Sequence, residues 1–539
     1  MGKVFCAGHY SHGSLDLCTD HYRCLIRSGD GLLHLYGRGS RYADLIFVPD
    51  AGFSPEPGLF QLELDRKDFC GETDRLKLVC RSEDSVRSEI TFFPDRIEFK
   101  AERTGGAPFL PEAFYLGRGS NLFSDKLFTP GWPDRTLPLG HDLRRQEPVR
   151  LSPGLLSPPP WCFAAQQENG RWMGFELEPE EEEFDFYEFD SVPGRDHAFC
   201  WSVGYGGCKA ACARLSAPAL VLRFDLEDEY ELFRRHAETI VETGRFRPVV
   251  RSAPAWHRGV ALCGWRFQGS RQDLCTQANY EEHIAYFQEQ GIDFDTIILD
   301  DFWGDPRRHG IWKCDETRWP DLRGFIEKRH AEGRHVLLWV CTYGSGLPEE
   351  ELLDGTMQNL DSPAWRQRLR DDAHRMLSAD PGCYNADGIK YDFTALLPQK
   401  PGCCSVCGVG YLRERFRLVY EAMTAVKPEA LILCQSVNPY FTPWQSMIRL
   451  NDFTALPCHG LEEMRIRSRI AQASGYDLPV DPDHVSFGAF SYRGGYDFFR
   501  EMESLGIVSL YLNREDLADP EFREILRALV RRNILRHRS

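Results

Sequence analysis

Residues 294–344 read FDTIILDDFWGDPRRHGIWKCDETRWPDLRGFIEKRHAEGRHVLLWVCTYG. The segment opens on an apolar run, TIIL, that stops at two aspartates. A loop follows, then RWPDLRGFIEKRHAEG with apolar residues at helical spacing, then a second apolar run, HVLLWVC. Runs that are apolar on both faces belong to buried parallel strands, and a helix between two of them makes a strand–helix–strand unit. The same alternation extends in both directions. Upstream, GVALCGW (259–265) precedes NYEEHIAYFQEQG. Downstream, SPAWRQRLRDDAHRML leads to DGIKYDF (387–393), GYLRERFRLVYEAMTAVKP to ALILCQS (430–436), and SMIRLND (446–452) to EEMRIRSRIAQAS. HVSFGAF (484–490) is followed by YDFFREMESLG, and IVSLYLN (507–513) by PEFREILRALVRRNILRH. Eight buried-type strands, all but one with a helix, predict a (β/α)8 barrel over residues 255–539, closed by its last helix.

The chain before this region has another character. Short runs such as RIEFK (96–100), RWMGFELEP (171–179) and APALVLRFDL (217–226) are cut by Gly, Pro, Asp and Ser. They predict an N-terminal β-sandwich over 1–227, joined to the barrel by a helical connector, 228–254, that contains DEYELFRRHAETIVET. The acidic run from Glu178 to Glu183 reads as a solvated loop, and PGLLSPPPW (153–161) as a proline-rich loop. Only one helix follows the eighth strand, so no C-terminal β-sandwich is expected.

With 64 basic against 81 acidic side chains, the formal charge is −17, which disfavours nucleic acid and anionic membrane as partners. A neutral ligand is indifferent to that field. No apolar stretch is long enough to span a membrane, and the start, MGKVFCAGHYSHGS, carries no signal-like run. The 19 cysteines are scattered and odd in number, which suggests a reducing, cytoplasmic setting.

In such a barrel the chemistry lies at the C-terminal ends of the strands. Those ends carry Trp265 on strand one, Asp300, Asp301 and Trp303 on strand two, and Trp339 on strand three. Lys390 and Asp392 stand on strand four, Gln435 on strand five, and Arg449 and Asp452 on strand six. A period of two puts Lys390 and Asp392 on the same inward face. Carboxylates grip hydroxyls and tryptophan faces stack on sugar C–H faces, so the mouth suits a neutral oligosaccharide or other glycoside. Two aspartates on strands two apart can share acid and nucleophile roles across that mouth.

IILDDFW, WKCDETRWPDLRGFIEKRHAEGRHVLLWV, DGIKYDF and IRLND together resemble the α-galactosidase-type glycoside hydrolases of clan D, family 36 first, with family 27 and the raffinose synthases as relatives. The resemblance implies that Asp392 is the nucleophile and Asp452 the acid/base of a retaining α-glycosidase. It implies that Asp300 and Asp301 bind the sugar's 4- and 6-hydroxyls, and that Lys390 and Arg449 contact hydroxyls. A terminal galactose or a galacto-configured sugar such as N-acetylgalactosamine is the expected substrate, with no cofactor. The Cys-Ser-Gly-Gly-Gly loop of family 36 is replaced by CQSVNPYF, at the place that contacts the sugar's 2-position in the clan. A raffinose-synthase-like transglycosidase and a non-catalytic sugar-binding barrel are the alternatives. A homo-oligomer is implied by resemblance alone.

Two features stand apart. Asp481 and Asp483, in VDPDH, compete with Asp452 for the acid's role. Cys403, Cys404 and Cys407 have zinc-like spacing, but no nearby partner motif completes a four-ligand site, so no metal is expected. Cys383 or a cysteine distant in sequence could complete it.

Overall fold

The computed structural model describes residues 3–537, apart from the internal segments 8–13, 28–31, 41–42, 44, 49–59, 65–70, 83–85, 121–126, 130–139, 142–148, 155–156, 168, 194–198, 249–252, 306, 308, 354, 399, 453–459 and 484–492. The N-terminal part is two ten-stranded antiparallel sheets. Aromatic side chains from both fill the space between them: Phe47 meets Phe99 at 4.2 Å, and Phe175 stacks on Trp201 at 4.7 Å. Gly117 allows this approach, because a Cβ there would stand 2.1 Å from the Phe47 ring. The last strand of these sheets is Ala219–Leu226, and the connector helix α1 follows as Glu231–Glu242.

The barrel strands are β1 (Ala261–Cys263), β2 (Thr296–Leu299), β3 (His335–Cys341) and β4 (Gly388–Asp392), then β5 (Leu431–Cys434), β6 (Met447–Arg449), β7 (Val480–Asp481) and β8 (Ser509–Leu510). They pair in parallel in that order, and β1 also pairs with β8. The Ile507 N–H donates to the Val480 carbonyl at 2.8 Å and nearly closes the ring between β7 and β8. Val480–Asp481, ahead of the histidine of VDPDH, holds the seventh place in the barrel, and HVSFGAF (484–490), where the sequence placed a strand, lies outside the described residues. Helices α2 (Gln277–Glu289), α3 (Leu322–Ala331), α4 (Pro363–Leu377), α5 (Gly408–Val426), α6 (Gly460–Ser474), α7 (Arg493–Leu505) and α8 (Pro520–His537) complete the barrel. Local chemistry starts several of them. The side chains of Thr276, Asp321 and Ser362 accept hydrogen bonds from the first-turn N–H groups of α2, α3 and α4, with Pro363 opening α4. No helix among the described residues is long and apolar enough to cross a membrane.

Two loop readings change. The acidic run is not solvated throughout. Glu178 is buried on Arg245, Glu183 is buried on Lys100 and Ser216, and Glu181 pairs with Arg413 of the barrel. The proline-rich loop is a docking wedge: Ser157, Pro158, Pro159, Pro160 and Trp161 are buried. The carbonyls of Pro158 and Pro159 accept from Ser436 and Asn438, and Ser157 N–H donates to the Gln435 carbonyl. The sandwich thus clamps the segment that follows β5.

Candidate active site

Strands β2 and β4 both end in Asp-Phe, and both end the same way. The Asp301 carboxylate accepts the Phe302 N–H at 2.7 Å, and the Asp392 carboxylate accepts the Phe393 N–H at 2.9 Å. Phe302 and Phe393 take left-handed backbone angles, φ 74° and 53°, and Asn451 after β6 does so at 61°. Each such residue costs about 1–3 kcal/mol, and such strain gathers where a site demands it. The turn at Asn451 is gripped from outside: Arg467 of α6 donates to the carbonyls of Leu450, Asn451 and Asp452.

Arg449 is the hub. Its guanidinium donates to Asp392 Oδ1 at 3.2 Å, to Asp452 Oδ1 at 3.3 Å and to Asp483 Oδ2 at 2.6 Å, with a second contact to Asp483. One planar cation therefore brings the aspartates of strand four and strand six together. Asp392 also accepts from Trp339 Nε1 at 3.0 Å and from Gln435 Nε2 at 2.7 Å. Burial raises the Asp392 carboxyl, but Arg449 and Lys390, with the hydrogen bonds from Trp339 and the Phe393 N–H, outweigh it. They hold the group below the usual carboxylate range. Asp452 goes the other way. Partial desolvation and the nearby Asp483 carboxylate push it up to about 7, against the pull of Arg449 and Lys390. The two carboxyls share one guanidinium, yet one is held down and the other pushed up.

Asp481 and Asp483 compete poorly for the acid's place. Both are fully buried, while the Asp452 side chain keeps 43% of its surface exposed. Asp483 is locked on Arg449, and Asp481 accepts from Tyr511 at 3.2 Å.

Lys390 and Asp300 form a dry ion pair at 2.7 Å, each about 3% exposed, with Cys263 Sγ 3.1 Å from the same Asp300 oxygen. Burial opposes the lysine's charge, but Asp300 outweighs it and keeps the ammonium protonated. The pair forms the floor under the mouth. Asp301 is nearer the surface and stands 3.5 Å from His309 Nε2.

The tryptophans divide. Trp265 is half-buried beside Phe302 at the opening. Trp339 is 2% exposed, so its indole serves the Asp392 carboxylate rather than a sugar face. Trp303 is 1% exposed and spends its N–H on the Trp339 carbonyl at 2.7 Å, which corrects the sugar-stacking expectation for it. CQSVNPYF, residues 434–441, is buried under the proline wedge, and Gln435, expected to bind substrate, turns to Asp392 and Thr394. Sequence reasoning passed over Phe393, which is 47% exposed beside Asp392 and packs on Tyr343 at 5.2 Å. Its exposed ring in an otherwise ordinary surface was invisible in a run of apolar residues.

Replacing Trp339 with Phe keeps an aromatic ring and deletes one donor to Asp392. The acidic limb of the pH–kcat/KM profile is expected to move upward, with a loss on the order of tenfold in kcat, since a hydrogen bond to a charged group contributes about 1.5–3 kcal/mol. A steady-state pH profile checks this, and an unmoved limb would show that the indole only packs.

A β-sandwich leading into a (β/α)8 barrel, with carboxylates at the ends of strands two, four and six, is a fold shared with solved glycoside hydrolases of families 31 and 36. Residues 250–383, roughly a quarter of the chain, match the glycosyl hydrolases family 31 TIM-barrel domain. That match falls on family 31, where the motifs had pointed first to family 36. A family 31 sulfoquinovosidase from E. rectale has the same fold, with TM-score 0.59 at 14% identity over 96% of this chain and 82% of its own. So has a family 31 α-xylosidase from a soil metagenome, at 0.58, 10%, 98% and 83%. A variant of the family 36 α-galactosidase from Geobacillus stearothermophilus is similar at 0.58, 13%, 100% and 86%. These identities speak to the fold and not to the sugar. No curated protein sequence matches the chain.

Proposed function

We propose that the protein is a retaining α-glycosidase in which Asp392 attacks the anomeric carbon while Asp452 protonates the leaving oxygen. The observation that carries this reading is the geometry around Arg449, whose guanidinium holds the buried, hydrogen-bonded Asp392 carboxylate and the more exposed Asp452 carboxyl together. In the first step the Asp392 carboxylate forms a bond to the anomeric carbon, the glycosidic C–O bond breaks, and the Asp452 proton goes to the departing oxygen. In the second, Asp452 takes a proton from water, whose oxygen displaces Asp392 and restores the α configuration.

The substrate we favour is a terminal α-linked neutral sugar, with galactose or N-acetylgalactosamine first. Asp301, 3.5 Å from His309 Nε2, offers an acceptor for its hydroxyls. Phe393, Tyr343 and Trp265 offer apolar faces at the opening. Proton NMR of an aryl α-glycoside digest tests the stereochemistry. The α-hemiacetal appears first if the reading holds, and a β-anomer appearing first sinks it. A panel of aryl α-galactoside, N-acetylgalactosaminide, glucoside and xyloside tests the sugar.

The acid's displacement sets the pH profile. Glycosylation needs Asp452 protonated, so kcat/KM falls as pH rises through about 7. It needs Asp392 ionised, so the acidic limb lies below the ordinary carboxylate range. Asp452→Asn is expected to erase the basic limb and to cost about 10²–10⁴-fold on substrates with poor leaving groups. Glycosyl fluorides, whose leaving group needs no proton, are expected to lose much less.

Phe393→Ala is expected to raise KM several-fold with kcat little changed, because an exposed rim ring contributes binding felt equally by ground and transition state. A fall in kcat at constant KM would place the ring's role in the strained turn instead.

A further inference from the structure

The crevice between the sandwich and the N-terminus of α5, about 550 Å³, is lined by Cys208, Cys212, Cys404 and Cys407, with Asp185 and Lys209. These thiols come from two arms far apart in sequence. One arm is Gly206-Gly207-Cys208-Lys209-Ala210-Ala211-Cys212, between two sandwich strands. The other is Gly402-Cys403-Cys404-Ser405-Val406-Cys407-Gly408, after β4. The spacings are Cys-x3-Cys and Cys-Cys-x2-Cys, both within the range of structural zinc sites.

We propose that these two arms form a four-thiolate site for zinc that fastens the sandwich to the barrel. Its ligands are Cys208, Cys212, Cys407 and one thiol of the Cys403–Cys404 pair.

Three observations carry this. First, the arms already meet: Cys208 Sγ and Cys407 Sγ lie 3.9 and 3.7 Å from the same Asp185 carbonyl. Second, the meeting is held by backbone. Val409 N–H donates to the Phe186 carbonyl at 2.7 Å and Gly410 N–H to the Phe184 carbonyl at 2.5 Å. Gly408 has φ 56°, and a Cβ there would stand 2.2 Å from the Phe186 carbonyl oxygen, so the turn that presents Cys407 requires glycine. Third, a lysine lines the crevice that such a centre would fill. Binding displaces four thiol protons to solvent and leaves a net −2 on the four thiolates and the ion. Lys209 reaches into this crevice and pairs with Asp185.

The site completes what the Cys403–Cys407 run lacked in sequence, and the completing ligands are Cys208 and Cys212 rather than Cys383. The Cys383 sulfur instead faces His374 Nδ1 at 3.5 Å. Among the described residues, the ligand-type side chains whose donor atoms already stand within 4.8 Å of one another are Glu176, Glu178 and His236, and they hold Arg223 and Arg245, two fixed cations that leave no call for a metal; the four thiols have to close further around an ion. Zinc fits four thiolates by softness and by tetrahedral preference, whereas calcium and magnesium do not.

The test is metal content of the full-length protein purified under reducing conditions. Elemental analysis is expected to find one zinc per chain. Titration of the metal-stripped protein with Co²⁺ is expected to give the intense visible bands of tetrahedral thiolate cobalt, saturating at one equivalent. Cys208→Ser and Cys407→Ser are each expected to bring stoichiometry well below one, with Cys383→Ser leaving it at one. Cys403→Ser and Cys404→Ser, made separately, identify the fourth ligand by which of them loses the metal. The proposal fails if the wild type takes up neither zinc nor cobalt, or if Cys208→Ser binds as fully as the wild type. It also fails if peptide mapping finds Cys208 and Cys407 joined in a disulfide. The cobalt titration of the wild type stands even where a variant does not fold.

Discussion

Asp392→Ala is expected to lower kcat on an aryl α-glycoside by on the order of 10⁴-fold or more, the scale seen when a covalent nucleophile is removed. The carboxylate is the convergence point of Trp339, Gln435, Arg449 and the Phe393 N–H, so nothing else on β4 can take its place. Lys390, two residues earlier on the same face, is committed to Asp300. A small external anion tests the assignment directly. Azide entering the vacated space attacks the face that Asp392 would have used, and the product is a β-glycosyl azide. Rescue by azide with inverted configuration distinguishes a missing nucleophile from a collapsed site. Activity within tenfold of the wild type would remove Asp392 from the mechanism.

Arg449→Met is expected to act on stability and catalysis together. The guanidinium side chain is 5% exposed, and its strongest partner, Asp483, is fully buried. Deleting one member of a buried pair leaves an uncompensated charge and costs about 3–5 kcal/mol. The measurement is the shift of the barrel's unfolding transition in urea. Catalysis falls for a separate reason. Arg449 is the first of the cations holding Asp392 ionised, so its loss moves the acidic limb of the pH profile upward. The double variant Arg449→Met with Asp483→Asn separates the two effects. Removing both charges is expected to recover most of the stability and none of the shifted acidic limb. A single-variant cost below about 1 kcal/mol would mean that Asp483 finds water once the arginine is gone.

Much of the site was legible because strand ends are a local property. The run TIILDDF announces a buried strand that stops at two carboxylates, and IKYDF places Lys390 and Asp392 on one face by alternation. Tyr391, between them, points outward to Phe416 of α5. That alternation holds wherever the strand is placed. The same logic put Arg449 and Asp452 at the end of strand six. Asp452 ranked ahead of Asp481 and Asp483 by resemblance alone, since all three are aspartates near strand ends. Their exposure, 43% for the Asp452 side chain against full burial of the other two, depends on which other strands crowd each position.

The misreadings share a cause. Trp303 stands two residues from Asp301 in sequence, yet it is core because Trp339 of β3 offers its carbonyl there. CQSVNPYF occupies the place of a sugar-contacting loop, yet it is covered because the wedge from Ser157 to Trp161 lies on it. Glu183 belongs to a run that reads as solvated, yet Lys100 and Ser216 from other strands bury it. In each case the deciding partner is distant in the chain.

The sequence alone determined the barrel, the sandwich before it, and the strand-end carboxylates, because hydrophobic period and strand termini are written within a few residues. Only the tertiary structure decided that Arg449 joins three aspartates and that Asp452 rather than Asp483 faces the opening. It alone brought Cys208 of the sandwich to Cys407 of the barrel. Desolvation and charge pairing act between side chains that the chain brings together only when it has folded, and their strength depends on the water excluded at that contact.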